Sequence, residues 1–394
     1  QATLTAKPAA TIVIYTGDNV SKDDILAKAE ARFCLAVEGE RVEFVKLRCR
    51  AVVEPWLYPA FTLLGQSCGT VVLALEALLK CVPEVWVDTM GCAFTYPVAR
   101  HVFGCRVACY THYPTISTDM LSLVERREQS YNNRGAISRS AVLSQAKLVY
   151  YKLFALVYGA AGRCAHSAMC NSSWTAAHVR DIWGVDAAVV FPPCNTEVLQ
   201  SIGLEAREEV IVSVGQFRPE KNHSLQVEAM EELKHLLPKG KGARLLVVGS
   251  CRNEEDEARV RAVRQQVIDL GLEDCVEVKV NVAWDELKRL FGLASVGLHT
   301  MRNEHFGINV VEFMASGVVP VSHNSGGPKS DIVKIGETGY LAESAKEYAV
   351  CINRILSMSK QDMKKMQEAG RKRAGTFSDA NFREAFVREM KRVW

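Results

Sequence analysis

Short β-branched runs alternate with longer amphipathic segments along almost the whole chain, and they do so in two series. The first series places strands at residues 11–15, 42–46, 85–88, 106–110, 168–171 and 188–190. Pro192 and Pro193 interrupt the rhythm, which restarts with strands at 210–214, 244–248, 276–279, 296–299 and 318–321. Helical periodicity fills the intervals, most clearly at 225–236, 255–270 and 285–293, and three more helices close the chain near 345–357, 360–373 and 379–393. A strand joined to the next through a helix pairs with it in parallel, by a right-handed crossover. Two such series predict an α/β chain of two doubly wound, Rossmann-like domains facing a cleft, with ligands at the carboxyl ends of the strands. We place the first domain at residues 1–203, the second at 204–376, and a last helix, 377–394, packing back on the first domain.

At 394 residues the chain has the length for two domains. Its 48% hydrophobic and 24% charged content is that of a soluble enzyme, and a net charge of +3 gives no footprint for nucleic acid. The 13 cysteines are odd in number and form no C-x-x-C pair, which fits a reduced, cytosolic environment better than a disulfide scaffold. His101, Cys105, Cys109 and His112 resemble a metal set in spacing only. Residues 106–110 read as a buried strand whose side chains alternate, so no metal site is expected. Sequons begin at Asn19, Asn171 and Asn222, and a glycan on Asn222 would block the phosphate loop described below.

No stretch reads as a membrane span or a signal peptide. Two segments are nonetheless rich in apolar residues: 68–79, broken only by Thr70 and Glu76, and 148–162, with four aromatics and one lysine. The second suits a helix lying in a bilayer interface, and equally a helix buried between a sheet and its neighbours.

Chemistry concentrates in the second series. Glu304 and Glu312 lie eight positions apart in Asn303-Glu304-His305-Phe306-Gly307-Ile308-Asn309-Val310-Val311-Glu312, with helix signals after Gly307. Amides at a helix N-terminus attract phosphate oxygens. A phosphate flanked by two hydroxyl-binding carboxylates describes a site for a sugar nucleotide. After the first strand of this series comes a loop in which Gly215 permits a tight turn, Arg218 offers a planar fork and Lys221 a point charge. Two cations beside a leaving diphosphate can do the work of a metal ion. A further piece, residues 324–329 (NSGGPK), brings two glycines and with them close backbone approach.

The phosphate loop and the spaced glutamates, in this order, resemble retaining GT-B glycosyltransferases of the E-x7-E class. More closely, residues 112–121 (HYPTISTDML), 212–223 (VSVGQFRPEKNH), 297–301 (GLHTM), 303–308 (NEHFGI) and 323–329 (HNSGGPK) resemble the dolichol-pathway α1,2-mannosyltransferases. These use GDP-mannose on the cytosolic face of the endoplasmic reticulum membrane, and the similarity runs from about residue 13 to the C-terminus. The resemblance implies that Arg218 and Lys221 hold the donor diphosphate, joined by amides near Phe306, Gly307 and Ile308. It implies that Glu304 meets the transferred mannose and Glu312 the ribose. Gly249 and the turn at Asn281 and Val282 would border the guanine, and His112 would face the sugar or acceptor. It also implies no metal cofactor, a dolichyl-diphosphate-linked oligosaccharide as acceptor, a membrane surface as partner, and other dolichol-pathway mannosyltransferases as possible companions.

Three departures stand out. Members of this family begin with a further strand, a Gly-rich loop and a helix behind a membrane anchor, whereas residues 11–18 resemble their second strand, so the sequence reads as N-terminally truncated. Arg302 replaces a large aromatic residue, and Asn309 a small one. Two other functions stay open at this point: a sugar-nucleotide transferase or epimerase of the same architecture, and a non-catalytic relative acting as a partner subunit.

Overall fold

The computed structural model describes residues 1–33, 37–117, 120, 141–205, 207–238 and 242–394. Its contacts divide the chain into two units, one of residues 1–171, 175–190 and 383–394, the other of 172–174 and 191–382.

In the first unit, β1 (Ile12–Thr16) pairs with β2 (Val42–Lys46), while β3 (Val85–Asp88), β4 (Arg106–Thr111), β5 (Ser167–Cys170) and β6 (Ala188–Val189) form a second sheet in that order. Every pair is parallel. The unit therefore has two sheets among the described residues. Side chains rather than a ladder link β1 to the neighbourhood of β3: the Tyr15 hydroxyl donates to the Cys81 carbonyl at 2.7 Å, and its ring centroid lies 5.5 Å from that of Trp86. The core gathers Leu78, Tyr96, Val107, Cys109, Tyr158 and Trp183. Cys105 and Cys109, two of the four residues with metal-like spacing, point into this core. Met390 and Val393 are buried, and the Ser167 hydroxyl donates to the Glu389 carbonyl at 3.4 Å, so the last residues pack on the first unit.

The two apolar segments are both helical. In the helix Ala141–Gly162, Tyr151, Phe154 and Tyr158 face the core, while Val149, Leu153, Leu156 and Val157 face outward. Phe154 is core at 5% exposure although its neighbour Leu153 faces outward, since a helix turns by about a quarter-turn per residue. The helix Thr62–Lys80, at 19 residues, does have the length and apolarity of a membrane span, contrary to the sequence expectation. It is seated in the unit by Glu76, which accepts from the Arg48 and Cys49 amides at 2.7 and 2.8 Å, and it exposes Leu64, Val72, Leu75 and Leu79. The two helices meet where the Leu64 amide donates to the Tyr150 hydroxyl at 3.2 Å.

The second unit is one parallel sheet of six strands: β7 (Glu208–Val214), β8 (Arg244–Gly249), β9 (Val276–Val280), β10 (Ala294–His299), β11 (Val319–His323) and β12 (Tyr340–Ala342). Their spatial order is β12-β11-β10-β7-β8-β9. The chain runs outward from β7 to β9, returns to the far side of β7 as β10, and then runs outward the other way. Strand order thus reverses between β7 and β10, which is where an open α/β sheet opens a crevice at its carboxyl ends. Parallel sheets are covered on both faces, and here all six residues of β10 are buried. β12 escapes the sequence reading because its three residues are too short for a period to register. Arg207 and Arg371 both donate to the Ser316 carbonyl, closing the C-terminus of the helix Ile308–Ser316.

Candidate active site

The loops after β7 and β10 converge at the point of reversal. After β7, Gly215 and Phe217 press on Gly249 at the end of β8: a Cβ on Gly249 would meet the Gly215 carbonyl oxygen at 2.2 Å. The chain then makes a short 3-10 turn, Pro219–Lys221, and Asn222 takes a left-handed conformation at φ 48°. Thr300, just past β10, fastens this turn, its Oγ1 lying 2.8 Å from the Lys221 carbonyl and receiving the Gln226 amide at 2.9 Å. The turn therefore sits on the sheet rather than swinging free, and Lys221 points towards the loop that follows β10.

That loop is locked to the one after β11. The Asn303 amide donates to the Ser325 hydroxyl at 2.7 Å, and the Gly327 amide to the Glu304 carbonyl at 2.7 Å. Gly326, at φ +63°, lies so close that a Cβ would meet the Glu304 carbonyl oxygen at 2.3 Å. The two glycines of residues 324–329 are thus accounted for by backbone packing behind Glu304. Gly307, at φ 107°, is the N-cap of the helix Ile308–Ser316, and no side chain caps that end. Its first amides therefore remain available to an anion.

Among the expected residues, Lys221 and Glu304 meet: Lys221 Nζ lies 2.6 Å from Glu304 Oε2. Glu304 Oε1 accepts from the His305 amide at 3.1 Å. Burial opposes the charge on Glu304, but the imidazole of His299 and the Lys221 ammonium outweigh it and hold its carboxyl below the ordinary value. Burial itself pushes His299 down to about 4, so at neutral pH its ring acts as a dipole and Lys221 carries the compensating charge. Glu312 differs: burial raises it to about 7. Arg218 is partly exposed and its nearest ion pair is loose, 3.7 Å to Glu220, which leaves the guanidinium free to take another anion. Phe306 is buried against Phe191 and Phe377, so only its backbone is available to a ligand. Ile308 is exposed at the helix start.

Asn281, left-handed at φ 53°, closes the end of β9 by receiving the Cys251 amide on its side-chain oxygen at 2.9 Å, and its own amide donates to the Gly249 carbonyl at 2.9 Å. Gly249, Asn281 and Val282 therefore share one rim. In the first unit, His112 follows β4, exposed, with its ring 5.1 Å from that of Tyr110. Thr118, Asp119 and Leu121 of its motif lie outside the described residues. Sequence reasoning quoted the stretches that hold His299, Thr300 and Ser325 but gave these three residues no role. A histidine closing an otherwise apolar strand at its carboxyl end was the available signal for the first. A surface depression of about 560 Å³ lined by Ile202, Glu205, Asp285, Lys288 and Arg289 lies at the amino ends of β7 and β10. That is the wrong end of the sheet for this chemistry.

Residues 1–183 match the model of the ALG11 mannosyltransferase N-terminus, and residues 195–373 match that of glycosyl transferases group 1. The GDP-Man:Man(3)GlcNAc(2)-PP-Dol alpha-1,2-mannosyltransferase of Homo sapiens is 46% identical over 399 residues, covering 98% of this chain and 81% of its own. The chain belongs to the ALG11 mannosyltransferase family. It is a glycosyltransferase, as its motifs indicated, and the epimerase reading gives way. The mannosyltransferase of the same description from Dictyostelium discoideum is 41% identical, covering 96% of this chain and 77% of its own. Sucrose-phosphate synthase from Thermosynechococcus elongatus superposes with a TM-score of 0.70 at 17% identity, covering 100% of this chain and 91% of its own, which establishes the GT-B fold.

Proposed function

We propose that the protein transfers mannose from GDP-mannose to a dolichyl-diphosphate-linked oligosaccharide, forming an α1,2 linkage with retention at the sugar carbon. The 46% identity to the human mannosyltransferase over 98% of the chain carries this reading. The site supports it in chemical terms. Departure of a nucleoside diphosphate builds negative charge on the leaving oxygen and positive charge on the sugar ring. Arg218, Lys221 and the amides that open the helix Ile308–Ser316 supply the first with donors, without a metal ion. Glu304, held charged, lies beside Lys221 and meets hydroxyls of the sugar. Glu312, within that helix, meets the ribose, and Gly249, Asn281 and Val282 border the base. On this reading the second unit binds the donor, while the first unit, with His112, serves the acceptor.

A polyprenyl acceptor resides in a bilayer, and the outward faces of the helices Thr62–Lys80 and Ala141–Gly162 are mostly aliphatic, with Cys68, Gln145 and Lys152 among the exposed residues. We assign these faces to the cytosolic surface of the endoplasmic reticulum membrane, where other mannosyltransferases of the pathway would be neighbours. The test is transfer of labelled mannose from GDP-mannose to a synthetic lipid-linked acceptor, with the product digested by an α1,2-specific mannosidase. A labelled product that resists the mannosidase, or equal use of another sugar nucleotide, overturns the assignment.

A further inference from the structure

Neither His299 nor Asn309 contacts the donor in the reading above, yet both are tied to Glu304. His299 ends β10, is buried, and its Nε2 has no hydrogen-bond partner among the described residues. That nitrogen faces Glu304 Oε2 at 3.6 Å, the same oxygen that Lys221 holds at 2.6 Å. Which ring nitrogen carries the proton follows from Asn309. Its Nδ2 lies 2.9 Å from the Val214 carbonyl, an acceptor only, so the amide is oriented with its nitrogen there. The same nitrogen lies 3.1 Å from His299 Nδ1. An amide nitrogen offers only donors, so Nδ1 accepts, and in a neutral ring the proton then sits on Nε2.

We propose that Asn309 is a positioning residue that fixes His299 as the Nε2–H tautomer, and that this N–H holds the Glu304 carboxylate in place when Lys221 turns to the donor diphosphate. The proposal rests on the assignment of Lys221 to the diphosphate and Glu304 to the sugar. A single ammonium on Glu304 Oε2 serves both ends of that arrangement poorly. When it moves towards phosphate, a largely buried carboxylate loses a charged donor, which is costly unless another takes over. His299 is already aimed at that oxygen, and a shift of less than about 1 Å brings Nε2–H into hydrogen-bond range. Burial of the ring keeps it neutral, so it orients Glu304 without adding a second full charge.

The test uses the full chain labelled with 15N-histidine. The imidazole shifts of His299 between pH 6 and 8 should report a protonated Nε2 and an unprotonated Nδ1. Asn309→Asp sets an acceptor against Nδ1 and should move the proton there. It should lower kcat about ten- to a hundredfold while the KM for GDP-mannose changes far less. Asn309→Ala, which leaves the ring to exchange between tautomers, should fall between the two. A wild-type ring that is charged or protonated on Nδ1 overturns the proposal, as does Asn309→Asp with a switched tautomer and unchanged kcat. Loss of kcat together with melting temperature, at an unchanged tautomer, marks a structural role and overturns it too. If GDP-mannose is not the donor, wild type itself fails to turn over, while the spectra still judge the ring.

Discussion

Arg218 and Lys221 share a short turn but stand in different circumstances. Lys221 is engaged to Glu304 at 2.6 Å, whereas Arg218 pairs loosely with Glu220 at 3.7 Å. Arg218→Ala should therefore cost binding with little effect on the fold. Removing a charge-assisted contact of about 1.5–3 kcal/mol should weaken GDP binding ten- to a hundredfold by calorimetry. The two glutamates should separate in kinetics: Glu304→Gln lowers kcat more than it weakens GDP-mannose binding, and Glu312→Gln does the reverse. Glu312 also has a signature in stability. In the folded chain it keeps its proton to about pH 7, while in the unfolded chain it releases it near the ordinary value of 4.5. Between those values unfolding releases a proton, so its contribution to stability, complete at low pH, is lost as pH rises towards 7. Glu312→Gln removes this slope, and its urea midpoint should gain on wild type steadily from pH 5 to 7.

At the scale of elements, the loop after β10 is held in shape by the loop after β11. Gly326→Ala would force a methyl against the Glu304 carbonyl oxygen at a backbone angle of +63°, and should lower both melting temperature and kcat. The outer face of the helix Ala141–Gly162 gives a second expectation. Leu153→Asp with Leu156→Asp, at positions 59% and 67% exposed, should abolish flotation with phosphatidylcholine vesicles while the melting temperature holds, whereas Phe154→Asp should unfold the first unit. The contrast marks what the sequence could and could not disclose. The eleven strands of the two series were visible because short β-branched runs alternate with longer amphipathic segments, and their ends differ from the structure by two residues or fewer. The Arg218, Lys221 and Glu304 cluster was visible because glycines and charges follow strands at regular places. The partition of the Ala141–Gly162 helix was not, since aromatic and aliphatic residues stud its whole circumference and no polar stripe sets its phase. Nor was the tie from Asn309 to His299, which joins residues from different elements through a proton position.

For the whole molecule, the donor-site residues all lie in the second unit, and the first unit is completed by residues 383–394. GDP at about a hundred times its Kd should add roughly 2.7 kcal/mol to the stability of the second unit, seen as a raised calorimetric transition. A chain ended at residue 382 should keep that shift and lose mannosyl transfer. The same connectivity bears on biosynthesis. Domains ordinarily finish folding in the order in which they leave the ribosome. Here Met390 and Val393, which fill the first unit's interior, are translated after the entire six-stranded sheet. The half made first must wait, partly assembled, until the half made second has emerged. During elongation the edges at Ser167 and Arg106, where these last residues dock, stay uncovered, and a chain stalled at that point should self-associate more readily than the finished one.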